Sequence, residues 1–172
     1  FMKGIVEDGG YGDNFKEKLH VVFPGPRGKT WDNSYCKDFA ARFSREGSKD
    51  LVFICGRYEG IDERFLNLYV DEQISLGDFI LTGGEIPTMA IIDSALRFFT
   101  GVLGNKESSQ QESFQTNMLE HPQYTRPKVF DGIEVPEILT SGHHQNIAKY
   151  QKEEGLRITK IHRPDLLEKD RK

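Results

Sequence analysis

The chain has 172 residues, 37% of them apolar and 29% charged, with a formal net charge of −4, which is the balance of an ordinary globular domain and excludes disordered, collagen-like and disulfide-stapled chains. No apolar run approaches the ~18 residues of a membrane helix. The only cysteines, Cys36 and Cys55, suit a reducing cytoplasm. A pI near 5.8 argues against a surface coated throughout for nucleic acid, yet residues 143–172 carry eight basic against five acidic side chains. That local excess leaves room for a basic surface. The sequence begins Phe1-Met2-Lys3 in mid-pattern, with no targeting signal, and reads as part of a longer chain.

In chain order, Met2 to Val6 reads as a short helix broken by Gly9 to Asn14. His20-Val21-Val22-Phe23 is a strand closed by the rigid loop Pro24-Gly25-Pro26-Arg27-Gly28. The spacing of Tyr35, Phe39 and Phe43 predicts an amphipathic helix over Asn33 to Phe43. Leu51 to Cys55 is a continuous apolar run of the kind buried on both faces of a parallel sheet, with Cys55 as a small buried hydrophobe. A compact loop, Gly56 to Gly60, and a short helix, Asp62 to Tyr69, follow. Phe79-Ile80-Leu81 reads as another strand, leading into Thr82-Gly83-Gly84-Glu85, and Pro87 as the first residue of a helix whose core face is Met89, Ile92, Leu96 and Phe99. Strands separated by helices predict an α/β fold with crossover connections.

After Gly104 the composition turns polar, and Lys106 to Gln111 has no hydrophobic periodicity, as in a mobile linker. A second unit begins after Tyr124-Thr125-Arg126-Pro127. In it Ser141 caps a helix from about His143, with Ile147 and Tyr150 inward and Lys149 and Lys152 outward. The division is thus 1–104, a linker at 105–123, and 124–172.

The common phosphate and dinucleotide loops are absent. His143-His144 lacks the further ligands of a zinc site, so these are structural histidines. Three glycine-rich loops at strand ends remain: Phe23 to Gly28, Gly56 to Gly60 and Ser75 to Gly84. Nearly free of lysine, they suit a neutral or zwitterionic ligand held by backbone groups that glycine lets approach closely. Asp93 and Arg97, four apart on one helix, form either an exposed ion pair or a site that presents Arg97 over such a pocket.

The stretch CGRYEGIDERF with DEQISLGDFILTGGEIPTMAIIDSALRFF, followed by ESFQTNMLEHPQYTRPKVFDGIEVPEILTSGHHQ, resembles the bacterial tRNA (guanine-N1)-methyltransferases of the TrmD type, in the SPOUT superfamily. The resemblance runs from about Val21 to Leu167. It implies an α/β domain with a deep trefoil knot and a parallel sheet flanked by helices, and a small, mainly helical C-terminal domain that binds tRNA. It also implies a cytoplasmic homodimer with active sites at the subunit interface, S-adenosylmethionine as methyl donor, and a Mg²⁺ requirement whose site is not evident in the sequence. The reaction implied is methylation of N1 of the guanosine immediately 3′ of the anticodon. The family's opening strand and D-D-x-P-Y-G-G-G segment are not seen, so the N-terminal part of the family fold is expected to be missing.

By the same resemblance, Phe23, Pro24, Gly25 and Pro26 stand at the first adenosyl-contacting loop, where Tyr-Leu-Ser-Pro is common. Gly56, Tyr58 and Glu59 stand at the second, and Ser75, Leu76, Gly77, Phe79, Leu81, Thr82, Gly83, Gly84 and Pro87 at the third. The family's catalytic Asp-Ser-Phe is here Glu112-Ser113-Phe114, which makes Glu112 the expected general base, and the family's arginine falls on Arg97. The Asp-to-Glu change and the altered first loop allow one alternative, an inactive relative that binds the cofactor or RNA; a second, a SPOUT enzyme acting on another nucleoside, is opposed by the Glu112-Ser113-Phe114 linker and the second unit from Tyr124 onward.

Overall fold

Val21, Val22 and Phe23 form the centre of a three-stranded parallel sheet. The computed structural model describes residues 2–57, 60–99, 101–102, 113–114 and 116–168, and the chain divides into two units, 1–104 and 105–172. The first unit holds, in order, α1 (Met2–Asp8), α2 (Phe15–Lys18), β1 (Leu19–Thr30), α3 (Asn33–Phe43), β2 (Asp50–Phe53), α4 (Glu63–Tyr69), β3 (Glu72–Ser75) and α5 (Glu85–Leu96). β1 lies between β2 and β3, parallel to both.

Successive strand residues face opposite ways. Val22 and Ile74 therefore meet Tyr35, Cys36 and Phe39 of α3 and Ile91 and Ala95 of α5. Val21 and Phe23 meet Met2 of α1 and Leu66 of α4 on the other side. Helices cover both faces, as the alternation of strands and helices predicts. Asp32 caps α3 by accepting from the Tyr35 amide at 2.9 Å, and Asp62 accepts from the Arg64 amide at 2.8 Å at the start of α4.

β1 does not stop at Phe23. It continues through the expected loop and pairs with β3 twice, Pro24 and Lys29 both lying opposite Ile74, so that Gly25–Gly28 bulge out between them. A Cβ on Gly28 would sit 2.3 Å from the Ile74 nitrogen. Only a residue without a side chain lets the two backbones pass this closely.

Several expectations are corrected. Leu51–Phe53 form an edge strand and are only half-buried, because β1 rather than β2 takes the centre. Cys55 is exposed, having left the sheet before its side chain could turn inward. Phe79–Leu81 is not a strand. The third strand is Glu72–Ser75, whose short, partly polar sequence hides a buried Ile74. Pro87 occupies the third position of α5, still within the first turn, where its missing N–H costs no hydrogen bond. The buried face of α5 is Pro87, Thr88, Ile91 and Ala95, whereas Met89, Ile92 and Leu96 are exposed. A helix apolar nearly all round has no stripe from which sequence alone can choose the inner face.

In the second unit, β4 (Val129–Phe130) and β5 (Ile133–Glu134) form an antiparallel hairpin. It turns on Asp131 and Gly132 with φ of 49° and 77°, the left-handed pair that an Asp-Gly turn favours. A 3₁₀ turn (Glu137–Thr140), α6 (His144–His162) and α7 (Asp165–Glu168) follow. His143, not Ser141, is the N-cap of α6. The Ser141 hydroxyl accepts from the His143 amide at 3.3 Å and donates to the Ile138 carbonyl at 2.8 Å. Buried Thr159 donates to the Gly155 carbonyl at 2.7 Å and accepts from the Leu119 amide at 2.8 Å, which fastens that end of the preceding segment to α6. Of the linker expected at 105–123, residues 105–112 and 115 lie outside the described residues.

Glu72, at the start of β3, gathers three partners: His20 Nε2 at 2.7 Å, Arg42 through Nη1 at 3.1 Å and Nη2 at 2.8 Å, and the Tyr35 hydroxyl, which donates to Oε1. Burial pushes its pKa up, but the hydrogen bonds from His20, Arg42 and Tyr35 outweigh burial and hold it at about 2. Because the folded value lies below the unfolded one, the stabilisation is complete above about pH 4.5 and is lost as pH falls from there toward 2. Between pH 6 and pH 3 we expect the native protein to lose roughly 2 kcal/mol from this group. Glu72→Gln, less stable at neutral pH, should lose correspondingly less. Urea unfolding at the two pH values checks this, and equal losses in both proteins would contradict it.

Candidate functional site

At the carboxyl end of the sheet three chain segments enclose a cleft of about 650 Å³. Phe23 to Arg27 come from β1 and its bulge, Gly56, Arg57, Gly60, Ile61, Glu63 and Leu66 from the turn after β2 and the start of α4, and Ile74 to Gly77 and Phe79 to Gly84 with Pro87 from β3 and the stretch that leads into α5. The carboxyl edge of a parallel sheet is where open α/β folds place ligands, because the loops that leave it diverge around a crevice.

Local chemistry sets each wall. The Ser75 hydroxyl accepts from the Gly77 amide and donates to the Gly77 carbonyl, both at 3.2 Å, turning the chain sharply as it leaves β3. The Gly84 amide donates to the Gly56 carbonyl at 2.9 Å, and Arg57 forms an antiparallel bridge with Gly83. A Cβ on Gly84 would lie 2.8 Å from the Cys55 Cα and 2.9 Å from the Gly56 nitrogen, so the second and third walls join only because position 84 has no side chain. Arg57 donates from Nε at 2.8 Å and Nη2 at 2.6 Å to Glu85 Oε1, and this holds the Glu85 carboxyl below its ordinary range. Arg27 Nη2 donates to Glu63 Oε2 at 2.8 Å.

Of the residues expected to bind the cofactor, Phe23, Pro24, Gly25, Pro26, Gly56, Ser75, Leu76, Gly77, Phe79, Leu81, Thr82, Gly83, Gly84 and Pro87 all line this cleft. Tyr58 and Glu59 lie outside the described residues, as does Glu112. Arg97 is exposed at the carboxyl end of α5 and is not among the described residues lining the cleft. Twelve residues of helix place it about 18 Å along the axis from Glu85. Sequence reasoning singled out neither Arg27, although it lies within the first glycine loop, nor Glu63, three residues beyond the second. At the rim of the cleft Phe79 and Ile80, and on α5 Ile86, Met89, Ile92 and Leu96, are exposed, Ile80 at 81% and Met89 at 69%, an apolar surface larger than scattered residues would make.

The second unit has its own cleft of about 610 Å³, lined by His121, Tyr124, Arg126, Lys128, Ile147 and Gln151 among others, with no carboxylate among the described residues of its wall. On α6, Lys149, Lys152, Arg157 and Lys160 fall within an arc of about 140°. Arg157 pairs with Glu154 at 2.8 Å and Lys149 with Glu153 at 3.9 Å. Lys152 and Lys160 have no carboxylate at bridging distance among the described residues.

The model of the family described as tRNA (Guanine-1)-methyltransferase TrmD matches residues 9–169. Among curated relatives, a tRNA (guanine-N(1)-)-methyltransferase of Clostridium tetani is 54% identical over 149 residues, covering 87% of this chain and 59% of the relative. One from Clostridium perfringens (strain SM101) is 52% identical over 154 residues, covering 90% and 62%, and one from Clostridium botulinum (strain 657) is 49% identical over 156 residues, covering 91% and 62%. The chain spans about three fifths of the length of these relatives.

The join at Gly84 yields a direct test. Gly84→Ala should destabilise the protein by roughly 1–3 kcal/mol through overpacking. Gly4→Ala, in open space within α1, should be neutral or slightly stabilising. Thermal melts of the two variants compare them, and a neutral Gly84→Ala would mean that the loops are not locked together.

Proposed function

The chain belongs to the tRNA (guanine-1)-methyltransferase TrmD family, and from that premise we propose that it transfers a methyl group from S-adenosylmethionine to N1 of the guanosine immediately 3′ of the anticodon in tRNA. The observation that carries this reading is the meeting of the three glycine-rich segments around one cleft. Its size falls in the usual range for small-molecule sites. Its walls offer apolar side chains and backbone groups, with no lysine among the described lining residues. Such walls fit an adenosyl group, and the close join at Gly84 leaves the backbone, rather than a side chain, to face it.

The donor supplies an electrophilic methyl on a positively charged sulfur that leaves as a neutral thioether. Phe23 to Pro26, Gly56, Tyr58, Glu59, Ser75 to Gly77, Phe79, Leu81 to Gly84 and Pro87 would hold it. Glu112 accepts the proton from guanine N1, so that N1 carries the lone pair it needs for attack. Arg97 stabilises the negative charge that gathers on guanine O6. Since Arg97 stands at the far end of α5 from its own cleft, a second copy completes the site. The exposed apolar face of α5 and of Phe79 to Leu81 supports a homodimer with active sites at the subunit interface. A trefoil knot through the cleft loops and a cytoplasmic location belong to the same reading. No helix among the described residues is long and apolar enough to cross a membrane. Mg²⁺ finds no group of three His, Cys, Asp or Glu side chains among the described residues, and no step here runs through it. The cleft of the second unit, with no carboxylate among its described lining residues, and Lys152 and Lys160, with no carboxylate at bridging distance among the described residues, support that unit as a tRNA-binding surface.

Labelled methyl transfer to a tRNA transcript, compared with a transcript carrying adenosine at the target position, tests the function. We expect transfer only to the guanosine transcript. Equal transfer to both would discard the target base, and bound cofactor without transfer would favour the inactive relative. Glu112→Gln should lower turnover by roughly 10²–10⁴-fold and Arg97→Ala by roughly 10²–10³-fold, with cofactor affinity retained. Near-normal turnover of Glu112→Gln would remove it as the base. Lys152→Glu with Lys160→Glu should weaken tRNA binding and flatten its salt dependence while leaving cofactor binding unchanged. Gel-shift titrations at two salt concentrations measure this, and unchanged affinity would take α6 out of the interface.

A further inference from the structure

An adenosyl group asks for apolar walls and backbone polar groups, which the cleft supplies. The other end of the methyl donor is an α-ammonium beside an α-carboxylate, and two opposite charges that leave bulk water need charged partners. Among the described residues lining the cleft, the charged side chains are Arg27, Arg57 and Glu63. Arg57 is already committed to Glu85 through two nitrogens.

Arg27 and Glu63 are differently placed. They come from sites 36 residues apart, the bulge of β1 and the first turn of α4, and meet through one hydrogen bond, Nη2 to Oε2 at 2.8 Å. The side chains are each 59% exposed. That contact uses one N–H of a guanidinium that has five and one oxygen of a carboxylate that has two. Nε, Nη1 and Oε1 have no partner among the described residues. The pair thus offers a donor fork and an acceptor side by side at the wall of a cleft whose other charged side chain among the described lining residues, Arg57, is held by Glu85.

Resting on the cofactor reading above, we propose that Arg27 and Glu63 are specificity-determining residues that read the zwitterionic end of the donor. Arg27 takes the α-carboxylate and Glu63 the α-ammonium, so that four charges alternate in sign around the wall. The bulge of β1 is what makes this possible. Because Gly25–Gly28 leave the ladder between two pairings with Ile74, Arg27 stands clear of the sheet and reaches the start of α4. Neither residue touches the reacting methyl, so their effect falls on affinity and on the choice between ligands.

Two thioethers test this without turnover. S-adenosylhomocysteine carries the amino-acid end, and 5′-methylthioadenosine has the same adenosine and sulfur without it. Calorimetric affinities for both are measured with the native protein, Arg27→Ala, Glu63→Gln and the conservative Arg27→Lys, with melting temperatures confirming that each variant folds. Arg27→Ala and Glu63→Gln should each weaken S-adenosylhomocysteine by roughly three- to tenfold and shift 5′-methylthioadenosine by less than about twofold. Arg27→Lys should recover part of the loss. Equal weakening of both thioethers would overturn the inference, since the pair would then only hold the bulge in place, and so would unchanged affinity for both. A native protein that binds neither thioether would overturn the cofactor reading itself, whereas native binding with an unchanged preference in the variants would overturn this inference alone.

Discussion

The double pairing of β1 with Ile74 is the constraint on which the first unit depends. A strand that meets the same partner residue at Pro24 and again at Lys29 must expel what lies between, and Gly28 passes so close to the Ile74 backbone that no side chain fits. The expelled residues become one wall of the cleft. The strand's return then positions Trp31, whose amide donates to the Ser75 carbonyl at 2.7 Å, and the chain enters α3 directly. One wall of the cleft, the sheet's central pairing and the entry into α3 are therefore set by one irregularity in one strand.

Glu72 secures the opposite end of β3. Its carboxylate ties His20 of β1 to Tyr35 and Arg42 of α3, and Arg42 also lies over the Phe39 and Phe43 rings, 5.3 Å and 5.0 Å from their centres. A half-buried charge with three partners is costly to disturb because each partner would be left unsatisfied. The sheet is thus pinned at both ends of β3, by polar contacts at Glu72 and by backbone approach at Ile74, and the cleft opens from the second.

The glycine loops, the α3 helix and the α/β class were legible in the sequence, because apolar spacing, capping residues and glycine clusters are local signals. Their order after apolar strands already placed them at one edge of a sheet. What went unread has a common cause. β3 hid in a partly polar tetrad, since only Ile74 and Ser75 of its four residues are buried. The buried side of α5 could not be chosen because Ile86, Met89 and Ile92 match the apolar character of Ile91 and Ala95. Cys55 continued an apolar run whose strand had already ended at Phe53. In each case a neighbour distant in sequence, not the segment itself, decided the outcome.

Sequence alone located α1, α3, α4, α5 and α6, two of the three strands of the parallel sheet and the glycine turns, and through its motifs the family to which those turns belong. It could do so because backbone preference and capping act over a few residues. Only the tertiary structure decided that β1 bulges against Ile74, that Met89 and Leu96 face outward, and that Arg27 meets Glu63 36 residues away. These depend on which surfaces close against each other, and that choice is made by packing and ion pairing between segments that no local pattern records.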